Sequence, residues 1–249
     1  MQSLFKIDIS ANRIYGLDIL RAFAIFFVVI DHSQHTLTHN SSEFVSQFFR
    51  LYSWYMRYIV FDGVGIFFVL SGFLIGGILI KNFHHNQVTL KALVNFWIKR
   101  WVRTLPAYLF ILTVLVLLSV SFDAEFNGRE AAWYYVFLQN FNSAHPDFFP
   151  EAWSLSVEEW FYLLIPSSIF IGCRLFRMPF KISFMVAAIS VLLFSTGVRY
   201  HYFYEGLISS HQDYDLLIKK QVIARLDSLM FGLIGAICLF YHADAWVKY

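Results

Sequence analysis

Along most of this chain, apolar residues gather in runs long enough to cross a bilayer, which takes roughly 18 to 20 residues. Polar residues fall in short clusters between the runs. The pattern predicts spans at about Tyr15 to Ser33, Ile59 to Ile80, Thr104 to Phe122, Trp153 to Cys173, Ile182 to Tyr202 and Val222 to Tyr241. Residues Ala131 to Phe141 are apolar but too short for a span, and their Trp and Tyr suit the membrane interface, so they read as a re-entrant or interfacial helix. The predicted fold is therefore all-α, a polytopic transmembrane helical bundle of about six spans plus that extra helix. Neither internal repeats nor low-complexity segments interrupt it.

Composition agrees with lipid as the solvent. The 249 residues are 58% hydrophobic and only 14% charged, against about a quarter charged in a soluble domain. The net charge of +2 is carried by short basic clusters, which excludes a nucleic-acid-binding face. Cys173 and Cys238 lack the spacing of a disulfide framework or a zinc site. The apolar stretch Ala22 to Ile30 is followed by Asp31, His32 and Ser33 with no small-x-small cleavage site, so it reads as a retained helix. Lys81, Lys91, Lys99, Arg100 and Arg103 in one connection, and Arg174, Arg177 and Lys181 in another, place both on the cytoplasmic side. Both chain ends then come out cytoplasmic, and the segment with Asp123, Glu125, Arg129 and Glu130 external.

Ionisable groups inside apolar runs are costly and so mark candidate function. Asp18, Arg21 and His32 lie three and eleven residues apart. At about 100° per residue they share one helical stripe, with Asp18 able to pair with Arg21. A bland reading makes Asp18 and Arg21 an interfacial anchor and His32 a helix end. His32, His35 and His39 share a face only if the helix continues, and a loop expected from Ser33 argues against a metal site there. Gly72 and Gly76 have the small-xxx-small spacing of close helix packing, while Ser71-Gly72-Phe73 would also place a hydroxyl and relaxed backbone against a ligand. Arg100 and Arg103 sit one turn apart, where two guanidinium groups can grip a phosphate or anchor the membrane edge. Trp97 and Trp101 beside them can stack on an adenine. Glu158 and Glu159 point about 100° apart, one toward a cavity and the other toward a neighbouring helix or the interface.

Five segments, GLDILRAFAIFFVVIDH, FDGVGIFFVLSGFLIGGIL, KRWVRTLPAY, FPEAWSLSVEEWFYLLIP and RLDSLMFG, resemble in order and spacing the acyltransferase family three membrane proteins. The resemblance covers nearly the whole chain. It implies an enzyme of the bacterial inner membrane that transfers an acyl group, usually acetyl, from acyl-CoA to a hydroxyl of a carbohydrate or lipid-linked glycan, with no metal. His32 would be the base or acyl relay, and Arg21 with Asp18 would stabilise charge on the thioester oxygen. Arg100 and Arg103 would hold CoA phosphates, Ser71, Gly72 and Phe73 would line the acyl path, and Glu158 or Glu159 would orient His32 or bind the acceptor. Against the family pattern, residues 1–249 are expected to form one acyltransferase domain lacking several C-terminal helices. The alternatives are an inactive truncated relative or a transporter that uses Asp18, Arg21, His32 and a glutamate as a proton relay.

Overall fold

The structure is a computed structural model and describes residues 15–39, 47, 51, 63–84, 88–123 and 126–241, with the side chains of 31–39 and 84 outside the description. Among the described residues all regular structure is helical. Its long helices are α1 (Tyr15–His39), α2 (Gly63–His84), α3 (Leu90–Phe122), α5 (Ala152–Arg174) and α6 (Phe180–Tyr204), with the short α4 (Gly128–Tyr135) between α3 and α5. A π-helical stretch, Tyr214–Lys219, leads to α7 (Val222–Arg225) and α8 (Asp227–Tyr241). The chain divides into two compact units, Met1–Leu70 and Ser71–Tyr249.

In the first unit, α1 packs on the start of α2 so tightly that a Cβ added at Gly63 would lie 2.9 Å from the Ala24 carbonyl oxygen. The helix does not stop at Ser33, where the sequence predicts a loop, but runs on to His39. Ser33, Gln34 and Thr36 offer no proline or glycine to end it. His32, His35 and His39 therefore do sit on one helical register, although their side chains lie outside the described residues. No group of three metal-ligating side chains occurs among the described ones.

Among the described residues, four helical segments are long and apolar enough to cross a membrane: Gly63–Phe83, Leu90–Phe122, Phe180–Tyr204 and Val222–Tyr241. The other two expected spans are helical as well. However, Glu158 and Glu159 interrupt the apolar run of α5, and the side chains described on α1 end at Ile30. Helix α3 begins well before the expected Thr104. Thr89 caps it by accepting from the Ala92 amide at 3.2 Å, so Lys91, Lys99, Arg100 and Arg103 lie on a 33-residue helix and not in a loop.

The second unit is built on small-residue contacts and aromatic packing. A Cβ at Gly72 would meet the Leu229 carbonyl oxygen at 2.0 Å, and one at Gly76 would meet Ala236 Cβ at 2.7 Å, so α2 lies against α8 backbone to backbone. Phe73 completes this seam against Gly235. Helix α4 ends at Tyr135, earlier than the expected Phe141, because Phe137 takes a positive φ of 58° that stops the helix. From there the chain folds back along α3. Tyr108 donates its hydroxyl to the Tyr134 carbonyl at 2.9 Å and stacks on Phe137 at 4.9 Å. Tyr108 lies about 21 Å along the axis from the end of α3 at Phe122, so the returning segment reaches the middle of that helix. Asn140 holds it there by donating to the carbonyls of Trp153 at 3.2 Å and Lys220 at 2.6 Å, while the Val222 amide donates back to the Asn140 carbonyl at 2.9 Å.

His145 in this segment is 5% exposed. Its Nε2 lies 3.0 Å from the Phe149 carbonyl, and its Nδ1 is buried without a partner among the described residues. Burial pushes the imidazole below its ordinary value, because a second N–H would have no acceptor. A folded value below the unfolded one means that the unfolded chain binds the extra proton. The stability from neutral His145 is thus full above about pH 6.5 and is lost as pH falls toward the lower folded value. Thermal unfolding of the purified protein between pH 7.5 and 5 should show this fall, and His145→Gln should flatten it. An unchanged pH slope in the variant would refute the assignment.

Candidate functional site

The polar groups that the sequence singles out in the second unit converge on α5. Glu158 is partly buried. Its Oε1 accepts from the Ser71 hydroxyl of α2 at 2.9 Å, and its Oε2 accepts from the Tyr162 hydroxyl at 3.0 Å. Arg100 and Arg103 lie within electrostatic reach of that carboxylate, and the Arg100 guanidinium sits 6.0 Å from the Tyr162 ring centroid and 5.9 Å from that of Phe96. A carboxylate, two hydroxyls and a pair of guanidinium groups thus meet where α2, α3 and α5 come together. Each carboxylate oxygen already bonded once retains a lone pair for a ligand hydroxyl.

Glu159 turns the other way. It is 6% exposed and meets α3, where Trp101 Nε1 donates to its Oε2 at 3.1 Å and the Thr104 hydroxyl lies 3.0 Å from its Oε1. Adjacent helical positions point about 100° apart, which is why neighbouring carboxylates serve different helices. Trp97 and Trp101 stack on one another at 6.0 Å and 14°, and Trp97 Nε1 donates to the Tyr162 carbonyl at 2.9 Å. The two rings thus have a structural role beside the expected stacking on an adenine. Both indole N–H groups are used to clamp α3 to α5, which holds Arg100, partly exposed, and Arg103, exposed, on a fixed face.

Of Ser71, Gly72 and Phe73, only Ser71 brings a polar atom to this cluster. Gly72 and Phe73 are taken up by the seam with α8. In the first unit, Arg21 Nη1 donates to Asp18 Oδ1 at 3.2 Å, and both side chains are partly exposed. The His32 side chain lies outside the described residues. Sequence reasoning misses Tyr162, Thr104 and Trp101 as polar partners of the two glutamates. For Tyr162 a signal is present, since it stands four residues after Glu158 on the same helical face. The cross-helix partners of Glu159 have none.

Comparison with known proteins adds to this geometry. The family model described as an acyltransferase domain matches residues 14–245. The chain is 32% identical over 170 residues to the O-acetyltransferase OatA of Staphylococcus aureus, covering 63% of this chain and 25% of that protein. It is 36% identical over 133 residues to the peptidoglycan O-acetyltransferase OatA of Listeria monocytogenes, covering 48% and 21%. It is 31% identical over 204 residues to the putative peptidoglycan O-acetyltransferase YrhL of Bacillus subtilis, covering 76% and 28%. The chain thus spans about a quarter of the length of these curated relatives. No solved structure matches it. With nearly the whole sequence inside the matched region, the chain belongs to the acyltransferase family three of membrane proteins.

Proposed function

We propose that this chain carries the membrane chamber of an O-acyltransferase that moves an acyl group, acetyl in the first instance, from acyl-CoA to a hydroxyl of a carbohydrate or lipid-linked glycan. The observation that carries this reading is the Glu158 carboxylate, held by Ser71 and Tyr162 beside Arg100 and Arg103, in a family of acyltransferases. The relatives named for peptidoglycan O-acetylation favour a cell-wall glycan as acceptor. The domain occupies residues 1–249 of the protein, in the bacterial inner membrane, with the Lys81 to Arg103 and Arg174 to Lys181 segments on the cytoplasmic side where acyl-CoA is found.

In this reading Arg100 and Arg103 bind CoA phosphates through charge-assisted hydrogen bonds, which a guanidinium fork suits. Glu159, Trp101 and Trp97 act through them as positioning residues. Glu158 orients the acceptor hydroxyl through the lone pairs that Ser71 and Tyr162 leave open. In the first unit, His32 is assigned the role of base toward the acceptor, having a side chain suited to proton transfer near neutrality. The freed oxygen attacks the thioester carbonyl carbon, Arg21, paired with Asp18, steadies the charge on the carbonyl oxygen, and CoA leaves as the thiol after taking up a proton.

Membranes containing the chain, supplied with radiolabelled acetyl-CoA and a glycan acceptor, should form labelled glycan. A hydrogen bond to a charged group contributes about 1.5–3 kcal/mol, so Arg100→Ala and Arg103→Ala should each raise the KM for acetyl-CoA about tenfold or more. Transfer with unaltered KM in both variants would remove the arginines from donor binding, and no label in the unmodified protein would overturn the reading.

A further inference from the structure

The segment that folds back along α3 lines an open cavity of about 430 Å³, a volume within the range of about 300–1,000 Å³ usual for small-ligand sites. Its wall combines the rings of Trp133 and Phe141 with Glu130, Asn142, Ser143 and Gln139. Trp133 is half-exposed, while Phe141 is fixed from behind by Trp160 at 4.5 Å. Glu130 accepts from the Asn127 side chain at 2.9 Å through one oxygen, leaving the other open to a donor. Asn142 and Ser143 are exposed.

Gln139 is the informative member. It is 3% exposed, and its amide nitrogen donates to the Ser156 hydroxyl on α5, yet its Oε1 has no donor among the described residues. A buried carbonyl oxygen left without a hydrogen bond is costly, and a hydroxyl at the cavity wall toward which the amide turns would lower that cost. Ser156 lies two residues before Glu158 on the same helix, about 3 Å along its axis. Two residues are also about 200° around the helix, so the cavity lies at a similar depth to the candidate site's carboxylate but against a different face of α5.

We propose that this cavity is the carbohydrate subsite of the acceptor, a reading that rests on the acyltransferase function above. Aromatic faces stack on the apolar C–H face of a pyranose ring, while amide, carboxylate and hydroxyl groups exchange hydrogen bonds with its rim of hydroxyls. Among the described residues the one ionisable group on the wall is the anionic Glu130, which disfavours CoA phosphates there and separates the acceptor from the donor arginines.

The test measures binding of two neutral probes, an N-acetylglucosamine tetrasaccharide and cellotetraose, by calorimetry on the full chain in detergent. Saturable binding of at least one is expected, weakened at least tenfold in Trp133→Ala and Asn142→Leu, with thermal melting unchanged because both side chains are exposed. Arg100→Ala should bind the sugar as the unmodified chain does. Absence of saturable binding for both probes, or equal affinity in the two cavity variants, overturns the proposal. The same preparations, assayed for acetyl transfer, separate the two readings. Transfer with an acceptor KM unchanged in Trp133→Ala sinks the subsite and keeps the enzyme, while sugar binding without any transfer sinks the enzyme and keeps the subsite.

Discussion

Glu158→Gln is expected to reduce acyl transfer by about 100- to 10,000-fold, the range typical of removing a group that orients or moves a proton in the reaction. The amide keeps the size of the carboxylate but presents only one oxygen. It can satisfy Ser71 or Tyr162 but not both, and its NH₂ group meets a hydroxyl oxygen where a donor had been accepted. It also removes the negative charge opposite Arg100 and Arg103. The loss should fall on kcat, with the KM for acetyl-CoA changed far less, because the donor phosphates are held elsewhere. Ser71→Ala and Tyr162→Phe, which each remove one bond and leave the charge, should give intermediate losses. A Glu158→Gln protein that melts like the original and retains its full rate would remove this carboxylate from the mechanism.

The second large effect concerns Gly72. The added methyl of Gly72→Ala would sit 2.0 Å from the Leu229 carbonyl oxygen, so α2 and α8 must separate by about 1 Å or one helix must bend. Overpacking of this kind costs about 1–3 kcal/mol and sometimes more, and the offending atom here belongs to the backbone and cannot rotate aside. Melting of the purified protein should drop by several degrees. Because Ser71 is the adjacent residue, its bond to Glu158 should be disturbed and activity should fall with it. Gly77→Ala is the matched control. Nothing lies within 4 Å of the Cβ position at Gly77, so alanine there should be neutral or stabilise by about 0.5–1 kcal/mol through reduced chain entropy. Equal melting of the two variants would show that the α2–α8 seam yields to a methyl group without cost.

The two glycines show where sequence reading reaches its limit. The small-xxx-small spacing singles out Gly72 and Gly76 and leaves Gly77 aside, but only the partner helix shows that the contact at Gly72 is with backbone and cannot yield. The long third helix makes a related point. The sequence places its basic cluster in a connection, because positive residues near a membrane edge occur equally on helices and in loops, whereas the Thr89 cap carries the helix through all of them. Trp97 and Trp101 are legible as aromatic neighbours of two arginines. Their indole N–H groups go to a main-chain carbonyl and a glutamate on α5, some 60 positions away in sequence, and pairing at that range leaves no local signal. The fold-back of residues 136–149 is foreshadowed by a segment too short to span. Its depth, set by Tyr108 and Asn140, is not.

What the sequence determined by itself is the class of the protein and its family: long apolar runs require helices, because a backbone in lipid must satisfy its own hydrogen bonds, and ionisable residues inside those runs announce function. Asp18 and Arg21 also belong to this local category, since three residues of helix suffice to join them. The tertiary structure alone decided which glutamate meets Ser71 and which meets Thr104, and where a buried Gln139 oxygen waits without a donor among the described residues. Those outcomes depend on the angle and depth at which helices distant in sequence pack. Side-chain volume across the whole interface sets these quantities, and no short motif encodes them.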